Sequence, residues 1–233
     1  MENYNKNELL IKEIIDNHKE VKWKHQFFLG NNITTCPQNQ YFNSSANCIN
    51  KWNRILNLVG KDFFYDKDVI DIGCSEGYFA FEAANIARKV IGVDLNPITI
   101  ERANLIKRLK NKNNCNFFCK DCNDLSKKKF NVAFALGLLH RLENPIGFLK
   151  SITDISDEII IEYKCFKSSK PLAYYAGGNY KVNKFSKFYF AFSISCLENA
   201  LKNFGFEIIK KEKLKFFSKL KFPRHMVYAK RKT

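Results

Sequence analysis

The chain has 233 residues, 45% hydrophobic and 27% charged, which excludes a disordered chain and suits one α/β domain with an elaboration. Its formal charge is +16, and residues 202–233 carry eleven Lys/Arg against two Asp/Glu; this fits either contact with a polyanion such as RNA or a solvated lysine-rich face. The longest apolar candidate, Val132 to Leu139, is too short to span a bilayer, the first residues lack the order of a secretory signal, and eight scattered cysteines agree with a reducing compartment, so the expectation is a cytoplasmic protein, not a membrane protein.

Glu8 to Asn17 places Leu9, Leu10, Ile11, Ile14 and Ile15 at helical spacing. A loop-rich stretch follows from Trp23 to Asn47, with turn signals at Gly30-Asn31-Asn32 and Cys36-Pro37, and Ile49 to Leu58 reads as a second helix. From Asp68 onward strands alternate with helices. Strands are predicted at 68–73, 90–94, 116–121, 131–137, 158–162, 206–209 and 225–229, and helices at 77–88, 97–109, 145–152 and 193–204. Pro97 suits a first helical turn and Gly205 a helix end. The expected fold is α/β: a doubly wound, mostly parallel, seven-stranded sheet of Rossmann-like type. Residues 1–60 form a helical and loop N-terminal extension able to act as a lid, and residues 61–233 form the ligand-binding domain.

In such sheets ligands sit at the carboxyl ends of the strands, near the point where strand order reverses. The first strand there ends in Asp71-Ile-Gly73-Cys-Ser75-Glu-Gly77-Tyr78, and Asp94 ends the next strand. Glycines at 73 and 77 allow a tight turn and close backbone approach, and a serine at 75 is tolerated if its φ stays negative. A carboxylate at 94 can accept both hydroxyls of a ribose. The acid at 71 repels a pyrophosphate but attracts an ammonium or sulfonium, and G-x-G-x-x-G is absent. This disfavours an NAD(P)-dependent oxidoreductase and points to S-adenosylmethionine (SAM).

Asp71-x-Gly73-x-x-x-Gly77, Asp94, Asp121 and the Gly137-Leu-Leu-His140 strand end, in that order, resemble the class I SAM-dependent methyltransferases over about residues 50–233. The resemblance implies that Asp71 and Gly73 hold the amino-acid end of SAM and that Ser75 and Gly77 complete the turn. It further implies that Asp94 binds the ribose, that Asp121 and Cys122 meet the adenine, and that Gly137 and Leu138 line the methyl-donor face. Within that family, Gly137-Leu-Leu-His-Arg-Leu-Glu-Asn-Pro145, Gly178-Asn-Tyr180, Pro223-Arg224, Trp23-Lys24, Gly30-Asn-Asn-Ile-Thr34 and Lys51-Trp52-Asn-Arg54 are similar to the tRNA wobble-uridine carboxymethyltransferase group. In that group a Lys, a Tyr and an Arg clamp the extra carboxylate of carboxy-SAM. Lys24 and Arg224 match two of these, and Tyr180 is a further substrate-side candidate. His140 stands where the clamp tyrosine is expected, a departure that favours ordinary SAM. The expected activity is methyl transfer to a tRNA base or a small O or N nucleophile. The alternatives are carboxymethyl transfer from carboxy-SAM to tRNA and a non-catalytic RNA-binding protein on the same fold.

His140 follows the fourth strand, where an acceptor belongs, and its ordinary pKa suits a general base; capping a strand or bonding a backbone group is the equal alternative. Arg141, Glu143 and Glu162 lie at the same end. Cys115, Cys119 and Cys122 spell C-x3-C-x2-C, a cluster-ligating pattern of radical enzymes that use SAM, but two of them straddle a predicted strand and Asp121 falls inside the motif. His18, His25 and His225 have no metal spacing, so no metal is assigned.

Overall fold

The computed structural model describes residues 6–16, 23–30, 33–35, 45–122, 124–125, 129–176, 189–213 and 222–232. In chain order these form α1 (Lys6–Asp16), β1 (Phe28–Gly30), β2 (Ile33–Thr34), α2 (Ser45–Val59), β3 (Asp68–Ile72), α3 (Tyr78–Ala84), β4 (Lys89–Asp94), α4 (Pro97–Lys110) and β5 (Cys115–Cys119). They continue with β6 (Phe130–Leu136), a 3-10 turn (Leu139–Arg141), α5 (Pro145–Ile155), β7 (Ser156–Lys164), β8 (Ala173–Ala176), β9 (Tyr189–Phe192), α6 (Ile194–Asn203), β10 (Phe206–Lys213) and β11 (Arg224–Arg231).

Seven strands form one sheet in the order β10-β11-β7-β6-β3-β4-β5. β11 runs antiparallel to both of its neighbours, and the remaining pairs are parallel. The chain moves outward through β4 and β5, then returns to the other side of β3, so the order reverses between β3 and β6. That crevice is where such sheets bind ligands.

The central strands are apolar on both faces because both faces are covered. Val69, Val90, Val132, Phe134 and Ile160 point into one core with α3, α4 and the N-terminal residues Ile11, Ile14, Trp23, Phe27, Trp52 and Ile55. Ile70, Ile72, Ala133, Ala135, Ile159 and Ile161 point into the other with α5 and α6. Trp52 of α2 stacks on Phe64 at 5.4 Å, which fixes α2 to the sheet. The helix starts follow capping chemistry. Asn96 accepts from the Ile98 N–H ahead of Pro97, and Asn144 accepts from the Gly147 N–H ahead of Pro145.

Two local expectations are corrected. The helix predicted over 77–88 stops at Ala84, because the next residues are taken by the lead-in to β4 beside β3. Ala87 bridges Tyr65, and the Arg88 N–H donates to the Lys67 carbonyl. The loop-rich stretch 23–47 contains the hairpin β1–β2, and β8–β9 forms a second short hairpin. Their strands are two to four residues long, too short for a period, and β8 meets β9 only across residues 177–188. Part of the terminal charge has a structural role: Lys210, Lys211 and Lys213 are exposed on edge strand β10, where lysines discourage pairing with another chain.

Gly77 caps α3 with φ +82, and a Cβ there would run into the Phe117 ring. Gly77→Ala should therefore cost at least about 2 kcal/mol, combining a left-handed side chain with overpacking against a rigid ring. Urea denaturation would check this.

Candidate functional site

The carboxyl ends of β3, β4 and β6 converge on the turn 73–77. The N–H groups of Gly73 and Cys74 both donate to the Val93 carbonyl, which ties the turn to β4. Asp94 closes it: Oδ2 accepts the Ser75 N–H at 2.8 Å and Oδ1 the Asn96 N–H at 2.9 Å. Each oxygen keeps further acceptor capacity, and the side chain is half-buried. Ser75 has φ +52, against the expectation of a negative value. That backbone costs a side chain about 1–2 kcal/mol, and the Ser75 Oγ bond to Glu76 Oε2 at 2.8 Å helps to hold it.

Asp71 is buried on β3 at 2% exposure, and its Oδ2 has no hydrogen-bond partner. Burial, and next the charge of Asp94, raise its pKa to about 7, against a backbone hydrogen bond from Ala80. A buried carboxyl with an orphan oxygen suits a cationic ligand, which would supply the missing partner. A Cβ on Gly73 would touch Leu138, so the β6 tip lies directly against this turn. Asp121 and Cys122 follow β5, half-buried at the same end of the sheet. Asp71, Asp94 and this cradle fit an adenosine ligand with a positive amino-acid end.

Sequence reasoning assigned no role to the residue that anchors the turn. Glu76 is fully buried. It accepts the Lys24 backbone N–H at 3.0 Å, and Arg102 Nη1 lies 3.5 Å away. His25 Nδ1 is 3.4 Å from its other oxygen, although burial, more than any neighbour, lowers the His25 pKa to about 4. The Arg102 guanidinium sits 4.5 Å over the Trp23 ring. The signal available was an acid inside a glycine turn; nothing local told it from Asp71. Lys24 meets the site through its backbone, and its residue is exposed.

The lysine inside the site is Lys51, on α2. Its Nζ lies 2.6 Å from Glu162 Oε2, and its charge is felt at Asp71. Glu162, near the end of β7, is fully buried and also binds Arg224 Nη1 of β11 at 2.6 Å. Burial alone would raise its pKa, but Lys51 and Arg224 outweigh that and hold it at about 2. Arg224 is thus held between Glu162 and the tip of β6. It presses on Gly137, where a Cβ would lie 2.9 Å from Nη1. Gly137 has φ +76, and its N–H donates to the Glu162 carbonyl at 3.0 Å.

His140 lies in the 3-10 turn at 1% exposure, with no partner for Nδ1. Burial first, then Arg224, Arg141 and Lys164, drive its pKa well below the ordinary value, so the ring is neutral near pH 7. Tyr180 lies outside the described residues. Cys115 and Cys119 stand at opposite ends of β5, about 13 Å apart at strand spacing. Among the described residues no His/Cys/Asp/Glu group could hold a metal, and no helix is long and apolar enough to cross a membrane.

Residues 45–211 match the family described as Methyltransferase domain. The chain belongs to that family. The chain is 28% identical over 150 residues to the tRNA U34 carboxymethyltransferase of Aliarcobacter butzleri (strain RM4018), covering 62% of this chain and 49% of that protein. It spans about half the length of such curated relatives. Among solved structures it resembles the N-terminal domain of EvdMO1, in the presence of S-adenosylhomocysteine (SAH) and D-fucose, with a TM-score of 0.74 and 15% identity over 99% of this chain and 100% of that one. The [4+2]-cyclase SpnF shares the architecture, with a TM-score of 0.67 and 13% identity over 95% and 93% of the two chains. Likeness at these identities establishes the class I methyltransferase fold, and the chemistry must be argued from the site.

Proposed function

We propose that this methyltransferase moves the methyl group of SAM to a nucleophile held beside Gly137 at the tips of β6 and β7. The observation that carries the reading is the pair of carboxylates on adjacent strand ends: Asp94 closing the turn, and Asp71 buried with an unpartnered oxygen. Asp71 would take the amino end, Lys51 the carboxylate end, Asp94 the ribose, and Asp121 with Cys122 the adenine. Bound SAM supplies a methyl group already activated by its sulfonium, so no acid is needed for the leaving group. The chain's task is then positioning, desolvation and removal of a proton from the acceptor. His140, neutral and with a buried, unpartnered Nδ1, is suited to accept a hydrogen bond from that acceptor.

The stretch 23–30, bound to Glu76, serves in this reading as a cover over the donor turn, and the relatives named for tRNA modification support a cytoplasmic location. Titration calorimetry with SAH tests the reading. Wild type should bind it, and Asp94→Ala should weaken binding by about 2–5 kcal/mol, the scale for a lost buried charged contact. Absence of heat with the intact protein would sink the proposal.

A second reading follows from the curated relatives named tRNA U34 carboxymethyltransferase. Carboxymethyl transfer would place a donor carboxylate near Lys51 and Arg224, which Glu162 already engages. Mass spectrometry of tRNA with and without the gene separates the two by the added group.

A further inference from the structure

A cleft of about 410 Å³ runs along α3, between β1, α2 and the end of α4. That volume is in the range of small-molecule sites. Its described lining residues include none of Asp71, Asp94, Lys51, Glu162 and Arg224, so methyl transfer leaves it unused. Tyr78, Glu82 and Asn85 line it at helical spacing and span about 10 Å of α3. Buried rings form its floor. Phe27 meets Tyr78 at 5.8 Å and Phe81 at 5.9 Å between centroids, so the three hold one another in place. Phe28 of β1 and Ile49 of α2 also line the cleft, at 61% and 44% exposure, as an apolar rim.

The polar groups of the cleft are an acid and two cations. Glu82 is half-buried and accepts the hydroxyl of Tyr78, one turn back on α3. Burial raises its pKa, against Tyr78, Lys110 and Lys112. A carboxylate has about four acceptor sites, so Glu82 can take two further N–H donors that lie side by side. Towards Asn85, Lys112 is fixed to the wall: its Nζ donates to Asn85 Oδ1 at 2.6 Å. An ammonium has three donors, so two remain for a ligand. Lys110, the last residue of α4, lines the cleft as well.

We infer that this cleft is a second small-molecule site, for a free guanosine 5′-phosphate: base on the aromatic floor beside Phe28, phosphate at Lys110 and Lys112. Aromatic rings accept the face of any base. The carboxylate of Glu82 makes the choice among bases, because guanine offers a ring N–H and an amino group side by side, whereas adenine offers an amino group beside an acceptor. The lysines supply charge-assisted hydrogen bonds to the phosphate. The rim of Phe28 and Ile49 carries no cation for a following phosphate, so the site is scaled to one nucleotide and not to a strand. This inference does not depend on the methyl-transfer reading.

The test is titration calorimetry of the full chain with guanosine 5′-monophosphate, with and without saturating SAH. The nucleotide should bind saturably in both cases, and more tightly than adenosine 5′-monophosphate or ribose 5-phosphate. Glu82→Gln should weaken it about tenfold, the scale of a lost charged hydrogen bond, and leave ribose 5-phosphate unchanged. Lys112→Gln should weaken both by a similar factor. Phe28→Ala alters an exposed side chain, keeps the fold, and should weaken the nucleotide alone. An unchanged denaturation midpoint shows that each variant is folded. Failure to saturate, or equal affinity for ribose 5-phosphate, overturns the proposal. So does displacement by SAH, which would put the nucleotide in the donor crevice. A guanosine-containing RNA strand that binds more tightly through the same side chains refutes the free nucleotide. If SAH itself does not bind, the methyl-transfer reading falls, and the Phe28 and Lys112 variants still decide this one.

Discussion

Asp71→Asn is expected to stabilise the free protein and destroy its affinity for SAM. The native state holds the Asp71 proton up to about pH 7, and burial is the main cause. The unfolded chain releases it near 3.8. A raised carboxyl pKa therefore works against folding as pH climbs from 4 to 7. Asparagine removes this penalty and can still accept the Ala80 N–H. Converting about three pKa units gives a gain of up to about 4 kcal/mol at pH 8, vanishing by pH 4. Denaturant midpoints at the two pH values would show it. Binding should move the opposite way, because an ammonium needs the ionised carboxylate. In wild type, affinity should fall about tenfold per pH unit below 7, with nearly one proton released on binding at pH 6 and none at pH 8.5. Calorimetry in buffers of different ionisation enthalpy reads that proton. A pH-independent affinity, or an Asp71→Asn protein that binds normally, would remove Asp71 from the donor site.

Glu162→Gln should have the opposite sign. The substitution leaves Lys51 and Arg224 with no carboxylate between them in a site where Glu162 itself is fully buried. Breaking a buried pair in this way costs about 3–5 kcal/mol. The pH dependence is fixed by the depressed pKa of about 2 against 4.5 unfolded. The contribution is complete above 4.5 and is lost as pH falls through 2, about 3 kcal/mol in all. The gap between wild type and variant should therefore be widest near pH 7 and close toward pH 2. A gap independent of pH would mean that packing, not charge, explains the loss. Because Arg224 lies on Gly137, the variant should also lose methyl transfer to whatever extent Arg224 drifts from that glycine.

Much of the fold was legible because strand and helix periods differ and the turns carry their own chemistry. The acid–glycine turn at 71–77, Asp94, Pro97 and Gly205 each act through backbone conformation or a neighbour a few residues away, and pattern reading reaches that far. Ser75 shows the limit. Its residue type argues for a negative φ, and contacts such as the Oγ bond to Glu76 hold the positive one. Lys24 and Lys51 show the same limit for charge. Both occur in motifs, but whether an ammonium or only a backbone N–H reaches the site depends on how α2 and the stretch 23–30 pack. His140 was readable as a residue at a strand tip, whereas its neutrality comes first from burial and then from Arg224, Arg141 and Lys164, which lie on three different elements.

By itself, the sequence determined the α/β order, the donor crevice and the carboxylates at its strand ends, since hydrophobic period and turn composition are local properties of the chain. Only the tertiary structure decided that one oxygen of Asp71 is left without a partner, that Glu76 anchors the N-terminal stretch, and that Glu162 joins Lys51 to Arg224. Burial and Coulomb energy are set by what surrounds a group in space, and those surroundings come from residues up to 173 positions apart, the separation of Lys51 and Arg224.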